Sequence, residues 1–369
     1  MSEKVVILGA GIAGVQLSGM LKDMDVTLVT EEKHLPYYRM RLEEVVSKGA
    51  PESIAMHPAS WYEERNIRLV EGRASAIDRA NKSLIMEDGS SIAYDKLVLA
   101  TGSNAVRFPI EGRDSNVLVL RNMDDALLLR KKAAEAPSVL VVGGGLLGLE
   151  LALCLCDSFK AKVTVLDRND YLLNRQLDRD SSEILRRKLE ERGVAIETGG
   201  KLSRADDEYA YLEDGRRIEA SLIVLSAGVR SNTSLASDAG IECERGIIID
   251  SAFRTSDDSV FAIGDACQLG SQTFGLAMYA REMAMLLAKG LAGEDISYVP
   301  SAPSSVLKVA GIDIAFFGIQ TDKKAVEESG DSRKTVFLDD EGIVRGVILI
   351  NMKSSMLAAK AMLGKAYAG

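Results

Sequence analysis

Histidine and cysteine are scarce in this chain, whose 369 residues include two of the first and four of the second. His34 and His57 are too few and too far apart to suggest a metal cluster or a catalytic triad. Cys154, Cys156, Cys243 and Cys267 match neither zinc-ligand spacing nor a disulfide framework, which predicts a reducing, cytoplasmic setting. Cys154 and Cys156 stand two apart on a helical pattern, roughly 200° around its axis, so no bridge between them is expected. Four cysteines at these positions also rule out a four-thiolate iron–sulfur site within the chain. Long apolar runs are missing: no stretch approaches the ~20 residues that a membrane span requires. The opening MSEK leads straight into a strand-like run, and no signal peptide is expected. Positive charge is in deficit, and a net charge of −9 argues against a nucleic-acid partner, which wants a basic face.

What the chain does have is glycine set among apolar residues. Apolar residues make up 47% of it, and its length predicts two or three domains, each with its own core. Two stretches stand out, KVVILGAGIAGVQLSGML at 4–21 and SVLVVGGGLLGLELALCL at 138–155. In each, an apolar run feeds three glycines and then an apolar-periodic helix. The glycines are Gly9, Gly11 and Gly14 in the first, and Gly143, Gly145 and Gly148 in the second. The first glycine of such a unit makes the tight turn, the second lets a diphosphate approach the backbone, and the third lets helix pack on strand. The anion then rests on the helix N-terminus. One such fingerprint is a weak signal. Two, each on its own strand of Val, Ile and Leu, predict two bound dinucleotides.

Strand-like runs alternate with helical ones, which predicts parallel sheets faced by helices. Strands are expected at Val26–Val29, 96–102, Lys162–Leu166, 221–228, in RGIIID and in VFAIGDAC; helices at Pro58–Arg65, Met123–Ala136, Arg179–Arg192 and Met278–Leu291. A hairpin is expected over 76–94, around the Glu-Asp-Gly turn at 87–89. Trp61 and the methionines at Met283–Met285 read as core. Pro300 and Pro303 set off a final piece whose runs IDIAFFG and GIVRGVILIN look like sheet. The order of glycine fingerprint, second strand, charged excursion with Glu-Asp-Gly, and apolar strand ending in LVLATG or LIVLSAG occurs twice. The expected fold class is therefore α/β, with two Rossmann-like dinucleotide-binding domains, one inserted in the other, plus a small α+β C-terminal domain. The expected boundaries are 1–107 and 234–303 for the first domain, 108–233 for the second and 304–369 for the third.

With ATG at 100–102 and GD at 264–265 bracketing the second unit, the chain resembles the two-dinucleotide flavoproteins, the family of disulfide reductases, ferredoxin reductases and NADH oxidases. The resemblance covers residues 4–310. LPYYRMRL, RQLDRD and the short C-terminal piece are most similar to the NADH:rubredoxin oxidoreductase branch. It implies FAD on the first loop, with Gly9, Gly11, Ala13 and Gly14 at the diphosphate, Gly264 and Asp265 at the ribityl chain, and Ala74, Ala100, Thr101 and Gly102 beside the cofactor. An acid is expected to close the first unit and accept from the adenosine ribose. The usual site is Thr30, and the acid is either Glu31 or Glu32, with Glu32 favoured by family spacing. Arg39, Arg41 and Lys308 are implied as cations beside FAD, and Ala277 as the helix start that faces the pyrimidine end of the flavin.

The second loop is expected to bind NADH. Gly143, Gly145, Leu146, Leu147 and Gly148 form its cradle, Glu150 matches the family acid that approaches the nicotinamide, and Gly228 the small turn beside it. Asp167 ends the second strand, where a carboxylate accepts from both ribose hydroxyls and repels a 2′-phosphate; Arg168 beside it is the complication. Between residues 30 and 60 there is no cysteine, so the family's thiol relay is missing, and Cys267 is expected to be a small buried residue against the flavin. The activity implied is hydride transfer from NADH to FAD, followed by single electrons to a small carrier, rubredoxin. Two alternatives stay open: an NADH oxidase reducing oxygen, and a flavin-binding redox sensor or partner-binding protein.

Overall fold

Two parallel five-stranded sheets repeat one strand order. The computed structural model describes residues 2–113 and 115–367. In the first sheet Val260–Ala262, Lys96–Leu99, Lys4–Leu8, Asp25–Thr30 and Arg68–Glu71 lie side by side; in the second, Val117–Val119, Leu222–Leu225, Ser138–Val142, Lys162–Asp167 and Ala195–Thr198. Every neighbouring pair is parallel. Their central strands are almost wholly buried runs of Val, Ile and Leu, as strands covered on both faces must be. The outermost strand of the first sheet comes from after the second unit, and that of the second sheet from before it. Two short antiparallel strands, Ser103–Ala105 and Val229–Ser231, pair where the chain passes between the units.

The helices, in chain order, are α1 (Ile12–Met20), α2 (Leu42–Lys48), α3 (Ala59–Glu63), α4 (Met123–Ala133), α5 (Leu146–Ser158), α6 (Arg179–Glu191), α7 (Ser234–Asp238), α8 (Ala277–Leu291) and α9 (Met356–Met362). α4 ends three residues short of the expected 136, ahead of Pro137, which disfavours helix in the residue before it. An Asn122–Asp125 capping box fixes its start. The expected strand 96–102 stops at Leu99, because Ala100–Gly102 is a turn with Gly102 at φ +67°. Val117–Val119 was not foreseen, being three residues long in a loop-like context. Met283 is buried, whereas Met285 is 49% exposed and is not core, since it stands two positions away on the opposite side of α8. No helix of the described residues is long and apolar enough to cross a membrane.

Residues 304–367 form a five-stranded antiparallel sheet with α9 beside it. One apolar cluster fills the first unit. A second runs without a break from the second unit through α2 and into Ile312, Ile314, Phe316 and Ile348 of the terminal sheet. α2, which follows Arg41, is thus packed against α4 and α5 of the other unit.

Candidate functional site

Both glycine loops close on their sheets in the same way. Gly9 has φ +112°, and a Cβ added there would stand 2.1 Å from the carbonyl oxygen of Ala100; Gly143, at φ +126°, would place one 2.2 Å from that of Ser226. Gly14 and Gly148 lie as tightly against the carbonyls of Gly9 and Gly143. At Gly11 and Gly145 an added Cβ would meet nothing within 4 Å. Each loop thus faces open space before the N-terminus of α1 or α5, and neither helix has a side-chain cap. Their first N–H groups are left for an anion.

Around the first loop the structure gathers a chain of polar groups. Glu32 accepts from the Tyr37 hydroxyl and from Arg39, both at 2.5 Å. Arg39 also donates to the carbonyl of Arg121 at 3.0 Å. The Arg121 guanidinium donates to the carbonyl and hydroxyl oxygens of Ser103, at 2.7 and 2.9 Å, and the Ser103 hydroxyl donates to Asp265 at 3.0 Å. Asp265 sits at the GD turn, where Gly264 lies against Ala13 of α1. Burial raises the Asp265 carboxyl above its ordinary value, with Arg121, Ser103 and Arg39 acting against the rise. Burial likewise lowers Arg121 and raises the Tyr37 hydroxyl. Thr101 and Asn232 exchange hydrogen bonds of 3.0 and 2.9 Å, tying the ATG turn to the returning chain.

Other expected residues stand outside that chain of contacts. Glu31 is exposed and pairs with Arg73, whereas Glu32 is the acid that joins Tyr37 and Arg39. Arg41 binds Glu44, three residues on, at 2.5 Å, and takes no part in the chain of contacts. Lys308 is exposed, opposite Asp313 in register. Ser304, which touches Met278 at the head of α8, is four residues back, about 13 Å along the strand. Ala74 begins a strand at a bulge beside the first core. Ala277 is the first residue of α8, whose preceding residue, Leu276, supplies no side-chain cap. Leu276 also lines a cavity of about 480 Å³, with Asn174, Arg175, Ser305, Phe316 and Ile319, where the second unit and the terminal sheet meet α8.

At the second loop Asp167 is buried. One carboxylate oxygen accepts from the Gly144 N–H at 2.6 Å, the other from the backbone and side-chain nitrogens of Asn169, both at 2.7 Å. It therefore braces the glycine loop from below, a role its position in the sequence did not disclose. Arg168 is exposed, Leu146 is partly buried and Leu147 is 48% exposed. The expected strand 221–228 stops at Leu225, and Gly228, at φ +94°, lies in open space just before Val229–Ser231. Glu150 is partly buried, and burial together with the charge of Glu43 pushes its carboxyl up to about 7. Sequence reasoning missed Tyr37, Ser103 and Arg121. The one trace was a lone arginine ending the apolar run VLVL, just before a helix cap.

Open space before an uncapped helix, with Glu32 and Asp265 linked through Arg39, Arg121 and Ser103, fits a diphosphate-bearing ligand. Residues 3–284 match the family model described as pyridine nucleotide-disulphide oxidoreductase. The chain is 34% identical to the NADH-rubredoxin oxidoreductase of Clostridium acetobutylicum over 86% of its own length and 82% of the relative's. It is 35% identical to the rubredoxin-NAD(+) reductase of Pseudomonas putida over 73% of each. Some relatives are longer, and the chain spans 47% and 44% of two of them. The solved structure of NADH:rubredoxin oxidoreductase from Clostridium acetobutylicum superposes with a TM-score of 0.86 at 30% identity, over 100% of this chain and 97% of that one.

Proposed function

The chain belongs to the pyridine nucleotide-disulphide oxidoreductase family, and we propose that it oxidises NADH at a bound FAD and reduces rubredoxin without a redox-active thiol. At the coarser level it is an FAD- and NADH-dependent oxidoreductase that feeds a small electron carrier. The observation that carries the reading is the pair of open glycine loops, each at an uncapped helix, the second braced by the Asp167 carboxylate. In this reading FAD occupies the unit of 1–107 and 234–303, and NADH that of 108–233. Bound FAD supplies hydride acceptance and the release of single electrons.

The protein's part is binding and alignment. Gly9, Gly11, Ala13, Gly14 and the head of α1 hold the FAD diphosphate, Glu32 the adenosine ribose, and Asp265 the ribityl chain. Arg39 and Arg121 balance the charge between them. Ala100–Gly102 and Ala74 offer backbone contacts, and the free N–H groups at Ala277 face the pyrimidine end. Gly143, Gly145 and Gly148 with the head of α5 hold the NADH diphosphate, with Leu146, Leu147 and Gly228 shaping the wall. Asp167→Ala should cut kcat/KM for NADH at least about tenfold and lower Tm, because the N–H groups of Gly144 and Asn169 lose their acceptor. Wild-type preference for NADPH in the same assay would give the ribose to Arg168 instead.

Each thiol is held against oxidation chemistry. Burial pushes Cys154 up to about 12, aided by Glu43, and burial also raises Cys156, Cys243 and the fully buried Cys267. A reactive cysteine needs the opposite shift. Replacing all four by Ala or Ser should leave NADH-driven rubredoxin reduction within several-fold of wild type. In wild type, rubredoxin should reoxidise the reduced protein faster than air does at matched concentration. Stopped-flow mixing measures both, and reoxidation by air at an equal or greater rate would establish the oxidase reading in its place.

A further inference from the structure

Beside the second glycine loop one acid meets another. Glu150 follows Gly148 by two residues on α5 and precedes Cys154 by four, and the Cys154 Sγ lies 3.1 Å from the carbonyl oxygen of Glu43, in the first turn of α2. Residues four apart share a helix face, so Glu150 lies on the face of α5 that meets the head of α2. Both glutamates are partly buried, and among the described residues neither has a cation within ion-pair distance. The neighbouring charges are engaged elsewhere. Arg41, just before α2, and Lys48 at its end both bind Glu44; from α4, Arg130 donates to the carbonyls of Val46 and Ser47. On α5 itself Asp157 binds Arg192, Cys154 is a raised thiol, and on the adjoining strand Asp167 is held by Gly144 and Asn169.

We infer that Glu43 is a positioning residue that acts through Glu150 across the α2–α5 contact, and that the second loop is most receptive to a dinucleotide diphosphate when Glu150 is neutral. A charged carboxylate two residues past the third glycine would oppose the field of the α5 N-terminus, which draws the diphosphate in. A neutral one leaves that field intact. Burial and Glu43 together push the Glu150 carboxyl up to about 7; burial raises Glu43 as well, with Glu44 adding to the rise and Arg41 and Lys48 acting against it. The inference rests on reading the second loop as the NADH cradle.

ADP-ribose brings the diphosphate without the nicotinamide ring, and calorimetry of its binding to the FAD-loaded protein across the pH range is the test. Affinity should fall about tenfold as pH rises through the titration of Glu150. Glu150→Gln should hold the low-pH affinity throughout, and Glu43→Gln should move the step to lower pH by about one unit. A flat wild-type profile, a step that survives Glu150→Gln, or one unmoved in Glu43→Gln overturns the inference while leaving the cradle in place. Failure of ADP-ribose to bind at any pH overturns the cradle too. Denaturation gives an independent readout. A group whose folded-state pKa is raised from 4.5 to about 7 destabilises the fold as pH rises through that window. Wild type should therefore lose stability there relative to Glu150→Gln, and parallel profiles would overturn the protonation of Glu150.

Discussion

Protein carrying Gly9→Ala should purify colourless, and protein carrying Gly143→Ala should purify yellow but resist bleaching by NADH. The two substitutions are equal in size and opposite in consequence because the loops serve different nucleotides. At each position the new Cβ would fall within about 2.2 Å of a backbone carbonyl oxygen on a neighbouring turn, far inside contact distance. The loop must move away, and the backbone must also leave a positive φ that suits glycine alone. Strain of this kind costs on the order of 1–3 kcal/mol before any lost contact is counted, and the first N–H groups of the helix no longer converge on the diphosphate. Affinity should fall about a hundredfold or more at the altered loop. The ratio of flavin to protein absorbance reads the first loop, and stopped-flow reduction by NADH reads the second. Flavin lost from both variants alike, or bleaching retained in Gly143→Ala, would overturn the assignment of FAD to the first loop and NADH to the second.

The glycine loops were legible in the sequence because their function is local: turn, approach and packing are settled within six residues. The duplication was legible for the same reason, since each unit repeats a short order of strand, turn and helix. The bracing of the site was not. Arg121 reaches Ser103 across 18 positions and Ser103 reaches Asp265 across 162, and nothing in the residues around any of them encodes that meeting. Asp167 was found as a carboxylate at a strand end, yet its hold on Gly144 depends on which way the side chain turns once buried. The Arg41–Glu44 pair was not legible, because an arginine near a cofactor loop and an arginine paired with a helical glutamate three residues on read alike. Tyr37 was passed over as one of two adjacent tyrosines, and only packing separates the buried Tyr37 from the partly exposed Tyr38.

Arg333→Met should destabilise the terminal sheet by about 3–5 kcal/mol, the largest single effect expected away from the nucleotide loops. Arg333, 5% exposed, reaches from the strand Ser332–Leu338 to the buried Asp178 and the exposed Asp180 at the head of α6, and also meets the exposed Glu328 of the neighbouring strand Lys323–Ser329. Asp178, 6% exposed, caps α6 by accepting from the Ser181 N–H at 3.1 Å and also binds Lys324 at 2.8 Å. Removing the guanidinium leaves Asp178 buried with half its compensation gone, and the penalty is that of an under-paired charge rather than the worth of the pair. The double variant Asp178→Asn with Arg333→Met should therefore recover most of the loss, because asparagine keeps the cap without the charge. Asp331, which pairs with Arg187 and Lys188 at the exposed edge of the same contact, should cost less than about 1 kcal/mol when replaced by alanine. Amide exchange along Ser332–Leu338 and Val344–Ile350 separates these cases, since it reports on the terminal sheet alone. The dependence on pH follows from Asp178. Burial works to raise its carboxyl, but Lys324 and Ser181 hold it below the ordinary value. Its contribution is thus complete above about pH 4, where the unfolded group is ionised, and is lost as pH falls through the folded value. Wild-type protection, taken relative to the intrinsic exchange rate at each pH, should fall in that acid window and the double variant's should not. An Arg333→Met variant as protected as wild type would mean that the continuous apolar cluster under the sheet, and not the buried ions, fixes the terminal domain to the nucleotide unit.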